Sequence, residues 1–315
     1  MPTRVEGSLL DRRLVFVTGK GGVGKTSTAA ALAELAARSG RRTLVCEMDA
    51  KGALADALGA SQLRFEPIEI EPNLFAMAMN TEDSLREYLR LFVKVPLIGK
   101  IGPLARTFDF VADAAPGVKE ILAVGKICHE VRIRSYDLVV VDAEATGHIV
   151  AQIGAPKVIR DLVQVGMVRD QTDWMLDLLH DPDVTGVAVV TTPEEMPVSE
   201  TLELVGRLEH ETGVAPTTIV ANRVLEPWFA DEAACSIAAD VADRRDDLVA
   251  ELGRGVGAVL DAARVAEARR RIGDEHLARL ADGVDVPIVT VPELFTRATG
   301  RRVVTLLADS LDGRV

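Results

Sequence analysis

Cysteine is nearly absent from this 315-residue chain, which has only Cys46, Cys128 and Cys235. No two of them stand at the spacing of a metal knuckle or a redox pair. That excludes a cysteine-built zinc site or a disulfide framework as the basis of the fold, and a reducing, cytoplasmic setting is expected. Aromatics are scarce at 4%, which leaves the core to Ala, Val, Leu and Ile. Positive charge is in deficit too, with 36 Lys and Arg against 48 Asp and Glu for a net charge of −12. Neutralising phosphates with a basic face is what drives nucleic-acid binding. Neither a nucleic acid nor an anionic membrane surface is therefore an expected partner. Of the 36 cations 28 are Arg, a bias from which no function follows. No stretch approaches the ~18 uninterrupted apolar residues of a membrane span. Met1 to Leu10 carries charges and no apolar run, so a secretory leader is not expected.

What is present is a recurrence of short apolar runs separated by helical stretches. Leu14 to Thr18, Thr43 to Cys46, Leu138 to Val141, Val187 to Val190, Thr218 to Ala221 and Pro287 to Val291 read as strands, with Leu74 to Met79 as a seventh. The runs are continuous rather than alternating, as in strands covered on both faces. Thr28 to Ser39 and Ser199 to Thr212 have helical composition. Strand–helix alternation of this kind predicts an α/β fold with a mostly parallel sheet flanked by helices. Two stretches break the rhythm. Residues 81–134 form a helical insert, and residues 231–282 form a charged, Ala-rich helical segment. Neither looks like an independent unit, so residues 1–315 are expected to make one domain, with helices also in the C-terminal region.

The sharpest local signal is Gly19-Lys20-Gly21-Gly22-Val23-Gly24-Lys25-Thr26, which fits G-x-x-x-x-G-K-[ST] over its eight positions without a mismatch and is followed by Ser27. It follows a strand and opens a helix, the context the motif requires. Its glycines let successive backbone N–H groups curl around a phosphate, and the helix turns its positive end to the same charge. Lys25 supplies a cation for the β and γ phosphates, and Thr26 a hydroxyl for Mg²⁺. Strand Thr43 to Cys46 delivers Glu47 and Asp49, and strand Leu138 to Val141 delivers Asp142. All three lie at the strand ends where ligands sit in an open α/β sheet. Asn222-Arg223-Val224-Leu225 resembles the start of a guanine-reading motif. Leu225, however, stands where guanine needs an acceptor, so adenine is favoured.

The second lysine, Lys20, makes the loop similar to the deviant Walker A of the arsenical-pump and tail-anchored-protein targeting ATPases and their Min, Par and nitrogenase iron-protein relatives. Asp142 with Thr146-Gly147-His148 resembles switch II of the first two, and Pro116 to Glu120 favours the same branch. The chain is identified as a bacterial single-domain member of that branch. The resemblance implies a P-loop ATPase that binds Mg-ATP and works as a homodimer or with a paralogue. In it Lys20 reaches the partner's phosphates, Asp49 positions the attacking water, and Asp142 and Glu47 act on Mg²⁺ through water. The Gly147 amide meets the γ-phosphate, while Asn222 and the loop Pro292-Glu293-Leu294 hold the adenine. Ala50-Lys51-Gly52 and Ala143-Glu144-Ala145 depart from the family pattern, and the extra carboxylate of Glu144 is expected to slow or retune hydrolysis. A zinc clasp is not expected. Residues from Leu89 to Phe110 offer either an apolar client groove or ordinary helix packing. The alternative is a regulatory switch acting with a paralogue or effector. Arg301 to Leu311 is expected to be a core helix rather than a membrane helix, so stable membrane insertion is not expected.

Overall fold

A computed structural model describes residues 8–49, 51–88, 118–162, 166–227, 241 and 243–315. The strands are β1 (Leu14–Gly19), β2 (Thr43–Glu47), β3 (Ile68–Glu71), β4 (Leu74–Ala78), β5 (Leu138–Ala145), β6 (Thr185–Thr191), β7 (Thr218–Val224) and β8 (Ile288–Pro292). They form one sheet in the order β3-β4-β2-β5-β1-β6-β7-β8. Every pairing is parallel except β3 with β4. The α/β expectation and the seventh strand hold. The eighth, β3, was not expected. It is a four-residue edge strand whose Ile68 and Ile70 pack inward while Glu69 and Glu71 face water, so it has no apolar run to announce it.

The helices are α1 (Lys25–Arg38), α2 (Ala53–Leu58), α3 (Thr81–Tyr88), α4 (Val118–Arg132), α5 (Thr146–Leu162), α6 (Met167–His180), α7 (Glu195–Arg207), α8 (Arg245–Leu252), α9 (Arg254–Asp282) and α10 (Arg301–Leu311). The insert expected over 81–134 is bracketed by α3 and α4. Residues 89–117, with the apolar set from Leu89 to Phe110 and Pro116-Gly117, lie outside the described residues, as does Cys235.

Side chains alternate across the central strands, and each face has its own cover. Val15 and Val17 of β1 join a core with α1, α2 and α10. Leu14 and Phe16 join a second core with α4, α5, α6 and α7. Both faces are thus dry, which explains the continuous apolar runs. On α1 the buried residues are mostly alanines, small enough to admit α10 against its outer side. On α10, Val304, Leu307, Ala308 and Leu311 are buried at helical spacing, as a core helix requires. Burying each large aliphatic side chain there contributes on the order of 2 kcal/mol. The α1–α10 seam is fastened by Glu34, buried on α1. Its carboxylate ion-pairs with Arg38, accepts from the Thr305 hydroxyl at 3.1 Å and lies 3.7 Å from Arg301. Among the described residues, no helix is long and apolar enough to cross a membrane.

Candidate functional site

The sheet order makes β1 a switch point. The chain leaves β1 for β2 on one side of it and later returns to β6 on the other, and ligands gather at the carboxyl ends beside such a point. The glycine loop lies there. Gly19 has φ +145°, and a Cβ on it would stand 2.1 Å from the Val190 carbonyl oxygen; only glycine lets β1 end so close to β6. Gly24, at φ +98°, forms the N-terminus of α1, and no side chain caps that end. The first N–H groups of α1 therefore remain for an anion. Lys25 to Ser27 are half-buried at this end. The Lys25 ammonium donates to the Lys20 carbonyl oxygen at 3.2 Å. Burial holds the Lys25 pKa below the ordinary lysine value, against the opposing pull of Asp142 and with Lys51 adding to the depression.

Glu47 and Asp142 are register partners on adjacent strands, and Asp142 also pairs with Val17 of β1. Both carboxylates are buried. Glu47 accepts from the Leu54 N–H at 3.3 Å, leaving its other oxygen without a partner, and one oxygen of Asp142 is also unpartnered. Burial pushes the Asp142 pKa up to about 6, partly offset by the Thr26 hydroxyl and Lys25, with Glu47 and Asp49 adding to the rise. Two dry carboxylates facing a hydroxyl and an uncapped helix end fit a small divalent cation that keeps most of its waters. Among the described residues, no group of three or more His, Cys, Asp or Glu would hold a metal unaided.

Asp49 lies just past β2, 45% exposed and ion-paired with Lys51. Glu144, the departure in switch II, accepts from the Gln152 amide at 3.1 Å and lies 3.4 Å from His148 Nδ1. Gly147 is exposed in the first turn of α5. Lys20 turns away from the loop and ion-pairs with Glu200 of α7.

Beside the loop, β7 carries a bulge where its pairing with β8 slips between Ala221 and Val224. Arg223 adopts φ +59° there. Such a bulge re-aims neighbouring side chains, and here it turns Asn222 onto the glycine loop. Asn222 Nδ2 donates to the Val23 carbonyl oxygen at 2.8 Å, and its Oδ1 accepts from the Arg223 N–H at 3.0 Å. The loop after β8 is tied in as well, since the Glu293 N–H donates to the Val224 carbonyl oxygen at 2.9 Å. Leu225, Glu293 and Phe295 line a cavity of about 380 Å³. Pro292 and Leu294 sit half-buried in the same turn.

The sequence reading named the loop, the carboxylates and the turns after β7 and β8, all of which the fold places at the carboxyl ends of the strands. It missed the far wall of the cavity, formed by α9 through Ile272, Gly273 and Leu277. It also missed Glu200. One signal for the wall was available: Gly273 interrupts a 29-residue helix, where glycine costs about 1 kcal/mol against alanine. It lies against Pro193, whose Cβ a Cβ at 273 would meet at 3.3 Å. Glu200 had no signal, because a carboxylate on a helix surface is ordinary.

Comparison with known proteins supplies the lineage. The chain is 33% identical over 218 residues to ATPase BagA of Mycobacterium tuberculosis, covering 66% of this chain and 63% of that protein. It thus spans somewhat less than two thirds of that relative's length. It is 30% identical over 178 residues to ATPase GET3 of Podospora anserina, covering 54% of this chain and 52% of the relative. Identity to a putative arsenical pump-driving ATPase of Halobacterium salinarum is 26% over 245 residues, 71% of this chain and 37% of that protein. A family model described as anion-transporting ATPase matches residues 12–172 and 161–251. With the glycine loop, the paired carboxylates and every strand but β8 within that span, the chain belongs to the anion-transporting ATPase family.

Proposed function

We propose that this protein is a Mg-ATP-binding ATPase in which hydrolysis is tied to closure of a dimer, either with itself or with a paralogue. The observation that carries the reading is the pair of unpartnered, buried carboxylate oxygens on Glu47 and Asp142 beside the uncapped end of α1. Leaving such groups dry is costly unless a cation is meant to stand near them.

The β and γ phosphates fit against the loop N–H groups and Lys25. Thr26 would hold Mg²⁺ directly, with Asp142 and Glu47 acting through its waters. When bound, the ion withdraws charge from the phosphate oxygens and draws the triphosphate into line. Lys25 leaves the Lys20 carbonyl to do its part, a short swing of an already half-buried side chain. Asp49 exchanges Lys51 for the attacking water and orients it. The water oxygen bonds to the γ-phosphorus as the bond to the ADP oxygen breaks, and the proton passes to the departing phosphate. Charge builds on the phosphate oxygens, so an added cation accelerates the step. The second lysine of the loop supports Lys20 of a partner subunit in that role. Adenine fits the cavity between Leu225 and the turn Pro292-Glu293-Leu294, with Asn222 bracing the loop beneath it. On this reading closure acts on an apolar client or protein partner through the insert between α3 and α4.

Two variants test the core of this reading. Lys25→Ala should lose ATP binding in calorimetry. Lys20→Ala and Asp49→Asn should each bind ATP but hydrolyse it poorly, and mixing them should restore part of the activity. A mixed dimer then has one site with its own Asp49 and its partner's Lys20. No recovery despite demonstrated mixed dimers would overturn action in trans.

A further inference from the structure

Within one subunit Lys20 is engaged. Its ammonium ion-pairs with Glu200 Oε1 on α7, each side chain about 30% exposed. The other oxygen, Glu200 Oε2, lies 3.4 Å from the Thr146 hydroxyl. Thr146 is the first residue of α5 and immediately precedes Gly147. One carboxylate thus bridges the second lysine of the glycine loop and the start of the helix after β5. Such a bridge is not needed for packing, because α7 is already held to the core by buried Pro197, Val198, Thr201 and Leu204.

We infer that Glu200 is a positioning residue that holds Lys20 within its own subunit and must release it before Lys20 reaches a partner's nucleotide. The inference rests on Lys20 acting in trans, as proposed above. An ammonium group cannot be paired with Glu200 and lie across a dimer interface at once, so the two positions compete. The strength of the contact suits that competition. A partly exposed ion pair shifts an equilibrium by no more than about fivefold. That is enough to bias Lys20 inward in an isolated subunit, and weak beside the attraction of a triphosphate in a closed, dry site. The Thr146 contact adds a link to nucleotide state. Movement of Gly147 toward a γ-phosphate carries Thr146 with it and takes one donor from Glu200, loosening the carboxylate that Lys20 leaves.

The test compares the parent with Glu200→Gln, reading the monomer–dimer midpoint in saturating Mg-ATP by sedimentation. The protein-concentration dependence of specific hydrolysis is read alongside, and ATP affinity is measured by calorimetry at concentrations below the midpoint. A symmetric dimer opens two such contacts, so the midpoint should fall by about twofold to about 25-fold. ATP affinity should stay within about twofold. Glu200→Asp keeps the charge but withdraws it by one methylene, and should move the midpoint in the same direction by less, which guards against a folding defect in the first variant. A merely structural role would lower stability without promoting dimers. An unchanged or raised midpoint in both variants overturns the inference. Lys20→Ala run in parallel separates the two levels. If it hydrolyses ATP at the parent rate, action in trans fails. If it is slow while Glu200→Gln leaves the midpoint in place, only the role of Glu200 fails.

Discussion

Replacing Asp142 by Asn should stabilise the protein while impairing its chemistry, and the size of the effect follows from the Asp142 environment. Its pKa rises from 3.8 to about 6, chiefly through burial. A folded-state value above the unfolded one means the folded protein holds the proton more tightly. The cost of ionising Asp142 is absent below about pH 4, grows as pH rises through the interval to about 6, and is complete above it. At 1.36 kcal/mol per unit the cost is about 3 kcal/mol at pH 7.5 and about 1.6 kcal/mol at pH 5. An amide keeps the acceptor that the Thr26 hydroxyl uses and is never charged, so it removes that cost. Denaturant unfolding with a chelator and no nucleotide should show Asp142→Asn ahead of the parent by up to about 3 kcal/mol at pH 7.5. The margin should shrink as pH falls toward 5. Near the melting temperature this corresponds to about 4 °C for a chain of this size. Mg-ATP should reverse the ranking, since only the carboxylate benefits from the cation. A variant no more stable than the parent at pH 7.5, or an advantage that does not change with pH, would refute the reasoning.

Gly19→Ala should cost roughly 2–4 kcal/mol in urea unfolding, because both its φ of +145° and the Val190 carbonyl oxygen oppose a Cβ; near-parent stability would mean β1 ends with more room than described. Asn222→Ala should weaken ATP binding about tenfold by calorimetry, through loss of its brace to Val23, and an unchanged affinity would show that the loop holds its shape unaided. ATP should be preferred to GTP, since Leu225 offers guanine no acceptor, and equal affinities would remove that basis. Elemental analysis of purified protein should find no stoichiometric zinc; one zinc per dimer would mean that subunits pool ligands.

Legibility in the sequence tracked how local each determinant is. The glycine loop announces itself because eight consecutive residues satisfy one geometric need, and the strands because burial on both faces removes polar residues from them. Glu47 and Asp142 were legible as strand-end carboxylates. Their pairing across β2 and β5 was not, since register between strands nearly a hundred residues apart leaves no trace in either segment. The two departures at the switches were visible as residue changes, yet their contacts were not. The contacts of Glu144 with His148 and Gln152 depend on β5 giving way directly to α5 at Thr146, a boundary that the residue types there do not mark. The α9 wall of the cavity and the hold of Glu200 on Lys20 arise from tertiary placement alone. The edge strand β3 was hidden for another reason: two isoleucines alternating with two glutamates make too short a pattern to stand out from a loop.

The seam between α1 and α10 bears on the order in which the molecule is made. The helix that begins with Lys25 rests its outer side on residues 301–311, where Glu34, already paired with Arg38, also accepts from the Thr305 hydroxyl and lies 3.7 Å from Arg301, some 270 positions later in the chain. During synthesis at about 5–20 residues per second, α1 therefore waits on the order of tens of seconds for its permanent neighbour. Until then its alanine face and the Glu34 carboxylate lack their cover on that side. A nascent chain would thus display the phosphate loop early but gain a rigid one only after α10 docks. Contacts so distant in sequence slow folding, and on the proposed reading they make nucleotide binding a late event in the life of each new molecule.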